Sequence, residues 1–146
     1  MDGRIRLLAR RGGVVALALV AASTLWMTTA LAQMAASIGT RDDPQFGTVL
    51  TDPAGMTLYT FDRDANGTSN CSGNCAATWP PATVEGDVVA PDGLPGTLDS
   101  VARADGSQQL RYNNSPLYRY ASDTQPGDSK GDGVGGVWHV AIATAG

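Results

Sequence analysis

Leu58-Tyr59-Thr60-Phe61-Asp62-Arg63-Asp64 has a second version in the same chain, Leu117-Tyr118-Arg119-Tyr120-Ala121-Ser122-Asp123. Both stretches read L-Y-x-[aromatic]-x-x-D, and a turn precedes each, at residues 52–55 and 113–116. An internal repeat is one structural unit that the chain uses twice. The two stretches therefore predict two related β-hairpin units within one small domain.

The segments around these motifs also have the composition of short strands. β-Branched and aromatic residues alternate with turn residues, and Asp105-Gly106 is a strong hairpin signal. We expect a mostly β domain, a small antiparallel meander that folds into a sandwich or a barrel. The predicted elements are strands at 48–51, 56–61, 98–103, 108–112, 117–120 and 137–141, one helical turn at 75–79, and an irregular surface segment at 80–96.

The first 32 residues have the layout of a secretory signal peptide. A basic start is followed by an apolar run from Gly12 to Leu31, which ends in Ala30-Leu31-Ala32. This small-residue pattern predicts cleavage after Ala32, and the alternative is a permanent membrane anchor. The mature chain would then consist of a small, polar, flexible tether at 33–45 and a single β domain at 46–146.

Removal of the leader would make the protein markedly acidic. The leader holds four arginines and one aspartate, so its loss changes the net charge from −4 to −7. A surface of this sign disfavours nucleic acids and anionic lipids as partners. We therefore expect no nucleic-acid partner and no stable membrane span after cleavage. An envelope protein, an envelope polymer or a small ligand remains open as a partner.

The aromatic residues of each motif lie two positions apart. Tyr59 and Phe61 therefore share one face of a strand, as do Tyr118 and Tyr120. One interpretation makes these rings core residues whose hydroxyls reach the backbone at the rim. The other makes them a paired platform for a flat or sugar-like ligand.

Four further residues belong to this candidate ligand face. The leucines before each tyrosine, by contrast, are expected on the opposite face of the strands. The carboxylates of the motifs fall just beyond the strands, where we expect them to accept backbone N–H bonds of the following turn. The four further residues are Asp64, Asp123, Trp79 and Trp138.

Cys71 and Cys75 are the two cysteines of the chain. Two close cysteines in an exported protein are typical of a disulfide. The alternative is a copper site, formed by the two thiolates together with His139, since soft thiolates and an imidazole suit copper.

A second metal hypothesis concerns the first motif. Asp62, Asp64 and Asn66 match the opening D-x-D-x-N-G of a calcium loop. The twelfth position, where a bidentate glutamate is required, is Gly73. An ordinary aspartate-rich turn is the alternative interpretation, and no cofactor is predicted overall.

The chain also resembles a known family over residues 46–143. Besides the two motifs, the resemblance rests on residues 71–76 followed by Trp79-Pro80-Pro81, on Arg103-Ala104-Asp105-Gly106-Ser107, and on residues 127–138. These segments are similar to the secreted-repeat family of predicted bacterial lipoproteins with a Y-x-[FWY]-x-x-D motif. The resemblance implies a fold and an exported location, and no reaction. Many relatives carry a lipobox cysteine at the end of the leader. This chain has none there, so we expect no lipid anchor.

The sequence favours an exported binding or structural module of the cell envelope, in the periplasm or outside the cell. It contains one histidine, no G-x-S-x-G elbow and no phosphate-binding loop, so an enzyme is not favoured. The first alternative is a periplasmic redox or copper-handling protein that uses Cys71 and Cys75. The second is a hydrolase of an envelope polymer, for which spacing singles out no carboxylate and which loss of activity in Asp64→Asn or Asp123→Asn, with folding intact, would support.

Overall fold

The computed structural model describes residues 12–13 and 34–146 of the chain. The predicted signal peptide lies outside this part, apart from two glycines, and its cleavage stays a prediction. Among the residues described, no helix has both the length and the apolar character that a membrane crossing requires.

Short strands make up most of the regular structure of residues 34–146. The elements follow one another as β1 (Gly39–Asp43), β2 (Gly47–Thr51), β3 (Tyr59–Phe61), α1 (Asn74–Thr78), β4 (Thr83–Val84), β5 (Leu98–Ala102), β6 (Gln108–Tyr112), β7 (Ser115–Pro116), a 3-10 turn (Val134–Gly136) and β8 (Trp138–Val140).

Two antiparallel hairpins organise the domain. β1 pairs with β2, and β5 pairs with β6 in the same sense. Each hairpin is the first part of one half of the domain. Residues 39–84 are called the N-terminal half, and residues 98–142 are called the C-terminal half. The prediction of a mostly β fold built from two related hairpin units is thereby confirmed, and the sheets of the described residues do not close into a barrel.

The first hairpin begins earlier than the sequence suggests. A flexible tether was predicted over residues 33–45, and this is wrong for residues 39–43, which form β1. Ile38, just before the strand, is 1% exposed and belongs to the core. The reason is pairing: the backbone groups of β1 bond to β2, and the half-buried side chain of Arg41 donates to Gly55 and Thr57.

The two halves exchange their last segments. β3 of the N-terminal half pairs with β8, and β4 crosses to pair with β6. The exchange is symmetric: Leu50 N–H donates to the carbonyl of Ala141 at 2.8 Å, and Leu110 N–H donates to that of Ala82 at 2.7 Å. A pseudo-twofold axis therefore relates the halves, as in an isologous interface.

This exchange accounts for three deviations from the predicted strands. The return strand at 56–61 keeps one bond to its hairpin partner, from Leu58 N–H to the carbonyl of Leu50, and then pairs with β8. The segment 80–96, predicted irregular, contains β4. The predicted strand at 117–120 makes only isolated bridges, at Tyr118. In each case the pairing partner lies far away in the sequence, where local pattern carries no information.

The core consists of two hydrophobic clusters. As alternation along a strand predicts, Leu58 and Leu117 lie in one cluster, while Tyr59 and Tyr118 lie in the other. The leucine cluster is aliphatic apart from Tyr112. The second contains most of the motif residues, and its buried members are Val49, Tyr59, Cys71, Trp79, Tyr118, Trp138 and Val140.

Candidate functional site

The tyrosines of the two motifs meet at the centre of the domain. Tyr59 N–H donates to the carbonyl of Tyr118 at 2.8 Å, and Tyr118 N–H donates to the carbonyl of Tyr59 at 2.9 Å. Both side chains are 0% exposed. This reciprocal pair lies on the pseudo-twofold axis, so each motif is bonded directly to its counterpart.

Each tyrosine donates a hydrogen bond to the aspartate of the other motif. The hydroxyl of Tyr59 lies 2.5 Å from Oδ2 of Asp123, and that of Tyr118 lies 2.7 Å from Oδ2 of Asp64. The hydroxyl oxygen of Tyr59 also accepts the N–H of Gly131, and that of Tyr118 lies 2.6 Å from Oγ of Ser69. The hydroxyls were expected to reach the backbone at the rim, and they are instead bonded mainly to side chains inside the fold.

The second oxygen of each aspartate fixes a loop. Oδ1 of Asp64 accepts the N–H of Asn70 at 2.7 Å, and Oδ1 of Asp123 accepts the N–H of Lys130 at 3.0 Å. These are the backbone bonds in the following turn that the sequence predicts. Each motif aspartate therefore joins a buried tyrosine of one half to a loop of the other.

Burial keeps both tyrosines protonated. It raises the pKa of Tyr59 far above its usual range, and the hydrogen bond to Asp123 adds to the rise. Burial likewise raises the pKa of Tyr118, with a further rise from Asp64. The pKa of Asp64 is raised by its own burial. The hydroxyls are therefore donors throughout the physiological pH range, and neither tyrosine is poised as a base.

Four aromatic rings form one continuous stack beside the tyrosine pair. The indoles of Trp79 and Trp138 are parallel within 4°, with centroids 3.8 Å apart. Phe61 stacks on the outer face of Trp138 at 4.2 Å, and Tyr120 stacks on that of Trp79 at 4.1 Å. The order is symmetric, and it alternates between the two halves of the chain.

This arrangement limits what the motif can present to a ligand. Trp79 and Trp138 are each 4% exposed, and the tyrosine pair is fully buried. Phe61 and Tyr120 at the ends of the stack are half-buried. The aromatic face of the motifs is thus mainly core, as the first interpretation had it, and only the two end rings reach the surface.

Cys71 and Cys75 are joined in a disulfide, as predicted, with their Cα atoms 5.2 Å apart. The bridge closes the start of α1 onto the loop before it. Cys71 is buried in the aromatic cluster, and its carbonyl accepts a hydrogen bond from Arg103 at 2.9 Å. The disulfide therefore ties the 69–72 loop to α1, and the hydrogen bonds from Arg103 connect the same loop to the C-terminal half.

The sequence profile of one protein family matches this chain twice, over residues 39–83 and 99–142. The profile is described as a secreted repeat of unknown function, and its two matches cover more than half of the chain. The chain belongs to this secreted-repeat family. No curated protein matches the chain significantly, and neither does any solved structure.

The copper ligands proposed from the sequence are otherwise occupied in this secreted repeat. Both sulfurs are in the disulfide, and Nε2 of His139 lies 2.8 Å from a carboxylate oxygen of Asp62 at the exposed surface. Within the described part of the chain, no three histidine, cysteine or acidic side chains form a metal-binding group.

The calcium ligands diverge as well. Asp62 is directed to His139, whereas Asp64 is directed to Tyr118 and Asn70. Asn66 adopts a left-handed conformation, with φ 55°, in a tight turn. The D-x-D-x-N-G stretch therefore forms an aspartate-rich turn, which was the alternative interpretation.

Two features of the buried network were missed from the sequence. One is the stacking of Trp79 on Trp138: both residues were candidates for the ligand face, but their pairing was not predicted, although Trp79 follows Tyr59 by the same 20 residues that separate Trp138 from Tyr118. The other is Gly131, where a Cβ atom would lie 2.7 Å from the ring of Trp79 and 2.8 Å from that of Tyr59. Equal spacing was the available signal for the first, and the second has no local signal.

Proposed function

We propose that this secreted repeat acts outside the cytoplasm as a binding or structural module of the cell envelope, without a lipid anchor. Membership of a family of secreted repeats supports export. The disulfide between Cys71 and Cys75 fits an oxidising compartment. The acidic composition of the mature chain fits a partner that is neither nucleic acid nor anionic lipid.

The observation that carries the proposal is how the motif residues are used. Nearly all of them bond or stack with one another across the pseudo-twofold axis, through the crossed pairs Tyr59–Asp123 and Tyr118–Asp64 and the tryptophan stack. A motif used in this way specifies a rigid scaffold. Recognition then belongs to the loops and the half-buried rims around the scaffold.

The same contacts argue against the hydrolase alternative. A general acid or a nucleophile must reach a substrate atom. Asp123 is 8% exposed, and both of its oxygens accept hydrogen bonds from within the domain. Asp64 is likewise engaged through both oxygens. We therefore assign these carboxylates to holding the fold.

Export and thiol state are tested together by intact mass. The full chain, with its own leader and a C-terminal tag, is expressed in a bacterial host, and the cytoplasm, periplasm and medium are separated. We expect a periplasmic or extracellular product that begins at Gln33 and lies about 2 Da below the reduced mass. A matched variant with Ala30 and Ala32 changed to aspartate should keep its leader.

Two outcomes would contradict the proposal. A reduced, uncleaved chain in the cytoplasm would overturn export. A reduced product that carries one copper ion in its native mass spectrum would favour the copper-handling alternative.

The binding role is tested by photo-crosslinking from position 61 or 120 in intact cells, at the exposed ends of the stack. One discrete partner band is expected at these positions, and none from a control position in the buried core such as 117.

A further inference from the structure

Arg103 belongs to the Arg103-Ala104-Asp105-Gly106-Ser107 segment that contributed to the family resemblance. It is half-buried at the end of β5. Its Nη1 donates to Oε1 of Gln109 at 2.7 Å and to Oγ of Ser69 at 3.0 Å, and its Nη2 donates to the carbonyl of Cys71 at 2.9 Å. All three acceptors are neutral, so the guanidinium is held in place and its charge is not balanced by an ion pair.

This is unusual within the described part of the chain. The other basic side chains there either form an ion pair with an aspartate or lie exposed to solvent. The carboxylates of Asp64 and Asp105 act on Arg103 through space, but neither comes within the 4.0 Å that defines an ion pair. A directly bound anion would therefore add an ion pair that the described residues do not themselves supply.

Two of the five N–H donors of the guanidinium have no partner within the domain. Among the described residues, no fully buried side-chain nitrogen lacks a hydrogen bond, so the free Nε of Arg103 is not fully buried. Gln109 is 0% exposed, and its amide nitrogen donates to the carbonyl of Leu117, which fixes its oxygen toward the arginine. The guanidinium of Arg103 is therefore oriented before any ligand binds.

Arg103 lines a cavity of about 250 Å³ between the end of β5 and the disulfide loop. Its lining residues include Ser69 and Ser72, which are polar, and Val101 and Ala104, which are apolar. The volume is below the range of about 300–1,000 Å³ typical of sites for larger ligands. A small molecule with one anionic end and a short apolar body matches such a lining.

We propose that this cavity binds a small organic carboxylate, with the free edge of Arg103 as its anion contact. The proposal rests on the binding role put forward above and names its ligand class. Arginine matches carboxylates because its parallel N–H groups can donate to both oxygens at once. The negative charge of the mature chain opposes anions at long range, and salt at about 0.15 M screens that repulsion beyond about 8 Å.

The test uses the mature, disulfide-bonded chain labelled with nitrogen-15, at physiological ionic strength. Propionate is titrated and followed by NMR, with propionamide as its neutral counterpart and inorganic phosphate as a second anion. We expect saturable shifts at the amides of residues 68–72 and 101–104 and at Nε of Arg103. Propionamide should bind at least about tenfold more weakly, and phosphate likewise.

Two matched variants at Ser72 test the site while leaving Arg103 itself unchanged. Ser72→Asp places a negative charge at the exposed rim of the cavity, and Ser72→Asn is its neutral control. The first should abolish the shifts and the second should preserve them. Equal binding of propionamide, stronger binding of phosphate, or an absence of saturation would each overturn the carboxylate site. None of these results alters the cell-fractionation test of export, so the two proposals fail separately.

Discussion

Tyr59 donates its hydroxyl hydrogen to Asp123 at 2.5 Å, although an aspartate of its own motif stands five positions along the chain. The reciprocal bond from Tyr118 to Asp64 has the same form. The Y-x-[FWY]-x-x-D motif is thus not a self-contained unit. Each copy supplies the donor for one buried pair and the acceptor for the other.

A double-mutant cycle can distinguish crossed pairing from pairing within a motif. We expect Tyr59→Phe and Asp123→Ala each to lower the free energy of unfolding by about 1–3 kcal/mol, because each leaves a buried polar partner unsatisfied. Their coupling energy should be about 1–3 kcal/mol in urea unfolding. The control cycle combines Tyr59→Phe with Asp64→Ala and should be additive within about 0.5 kcal/mol. Larger coupling in the control cycle would contradict the crossed arrangement.

The buried tyrosines predict an alkaline limit to stability. Their pKa values are raised in the folded state, so the stabilisation is complete below the unfolded value of 10.0 and is lost as the pH rises above it. Absorbance at 295 nm should show these two hydroxyls ionising only together with unfolding. Tyr59→Phe or Tyr118→Phe should make the alkaline fall in stability less steep, and Tyr120→Phe should leave it unchanged. Early ionisation of all tyrosines in the folded protein would refute the prediction.

The lowered pKa of Asp128 predicts part of the loss of folding stability at acid pH. The backbone N–H of Thr124 lowers the pKa of Asp128 from 3.8 to about 2, and Lys130 contributes to the same effect. A lowered carboxyl pKa stabilises the fold above the unfolded value, and this stability is lost as the pH falls from about 4 toward 2. Chemical unfolding at pH 6 and pH 2.5 should show a smaller acid loss for Asp128→Asn than for the wild type. Asp87→Asn, on the exposed surface, serves as the matched control and should behave as the wild type.

The ring stack predicts equal roles for its two central members. Trp79→Ala and Trp138→Ala should each lower the free energy of unfolding by about 3–5 kcal/mol, since each removes a nearly fully buried indole. The double variant should lose less than the sum, because both changes delete the same contact. Phe61→Ala and Tyr120→Ala, at the half-exposed ends, should cost clearly less. Unequal effects of the two tryptophans in thermal unfolding would argue against the symmetric stack.

The disulfide between Cys71 and Cys75 should contribute modestly to the free energy of unfolding. Cys71 and Cys75 are four positions apart, and a loop this short gains about 2 kcal/mol from closure in the chain-entropy account. The double variant Cys71→Ser, Cys75→Ser should therefore still fold, with its urea midpoint lowered accordingly. The wild type under reducing conditions provides the comparison. Complete unfolding on reduction would mean that the bridge fixes much more than its own loop.

Local signals in the sequence predicted the local parts of the structure. Asp-Gly at 105–106 and the turn at 52–55 stand at chain reversals, and alternation assigned Leu58 and Tyr59 to opposite faces. The two cysteines form the expected bridge. Each of these features depends on neighbours within a few residues, where propensity and spacing are informative.

The features that the sequence did not predict depend on residues that are far apart in the chain. β1 reads as a polar tether because its residues, Gly39 to Asp43, carry little apolar pattern, and its strand state comes from pairing with β2. The crossed tyrosine bonds span 64 and 54 residues, so nothing local distinguishes them from pairs within a motif. Arg103 is recognisable as a charge in the sequence, but its neutral acceptors are assembled only by the fold.

The reciprocal bonds between Tyr59 and Tyr118 carry a further consequence for how such a domain can arise. A lone half would leave these backbone groups and the Tyr and Asp side chains of the crossed pairs without partners, and a second copy rotated by the pseudo-twofold would supply equivalent groups. This is the contact geometry of a homodimer, contained here in one polypeptide. Gene duplication followed by fusion would convert such a dimer into the present chain, and the connection at residues 85–97 would make the association independent of protein concentration.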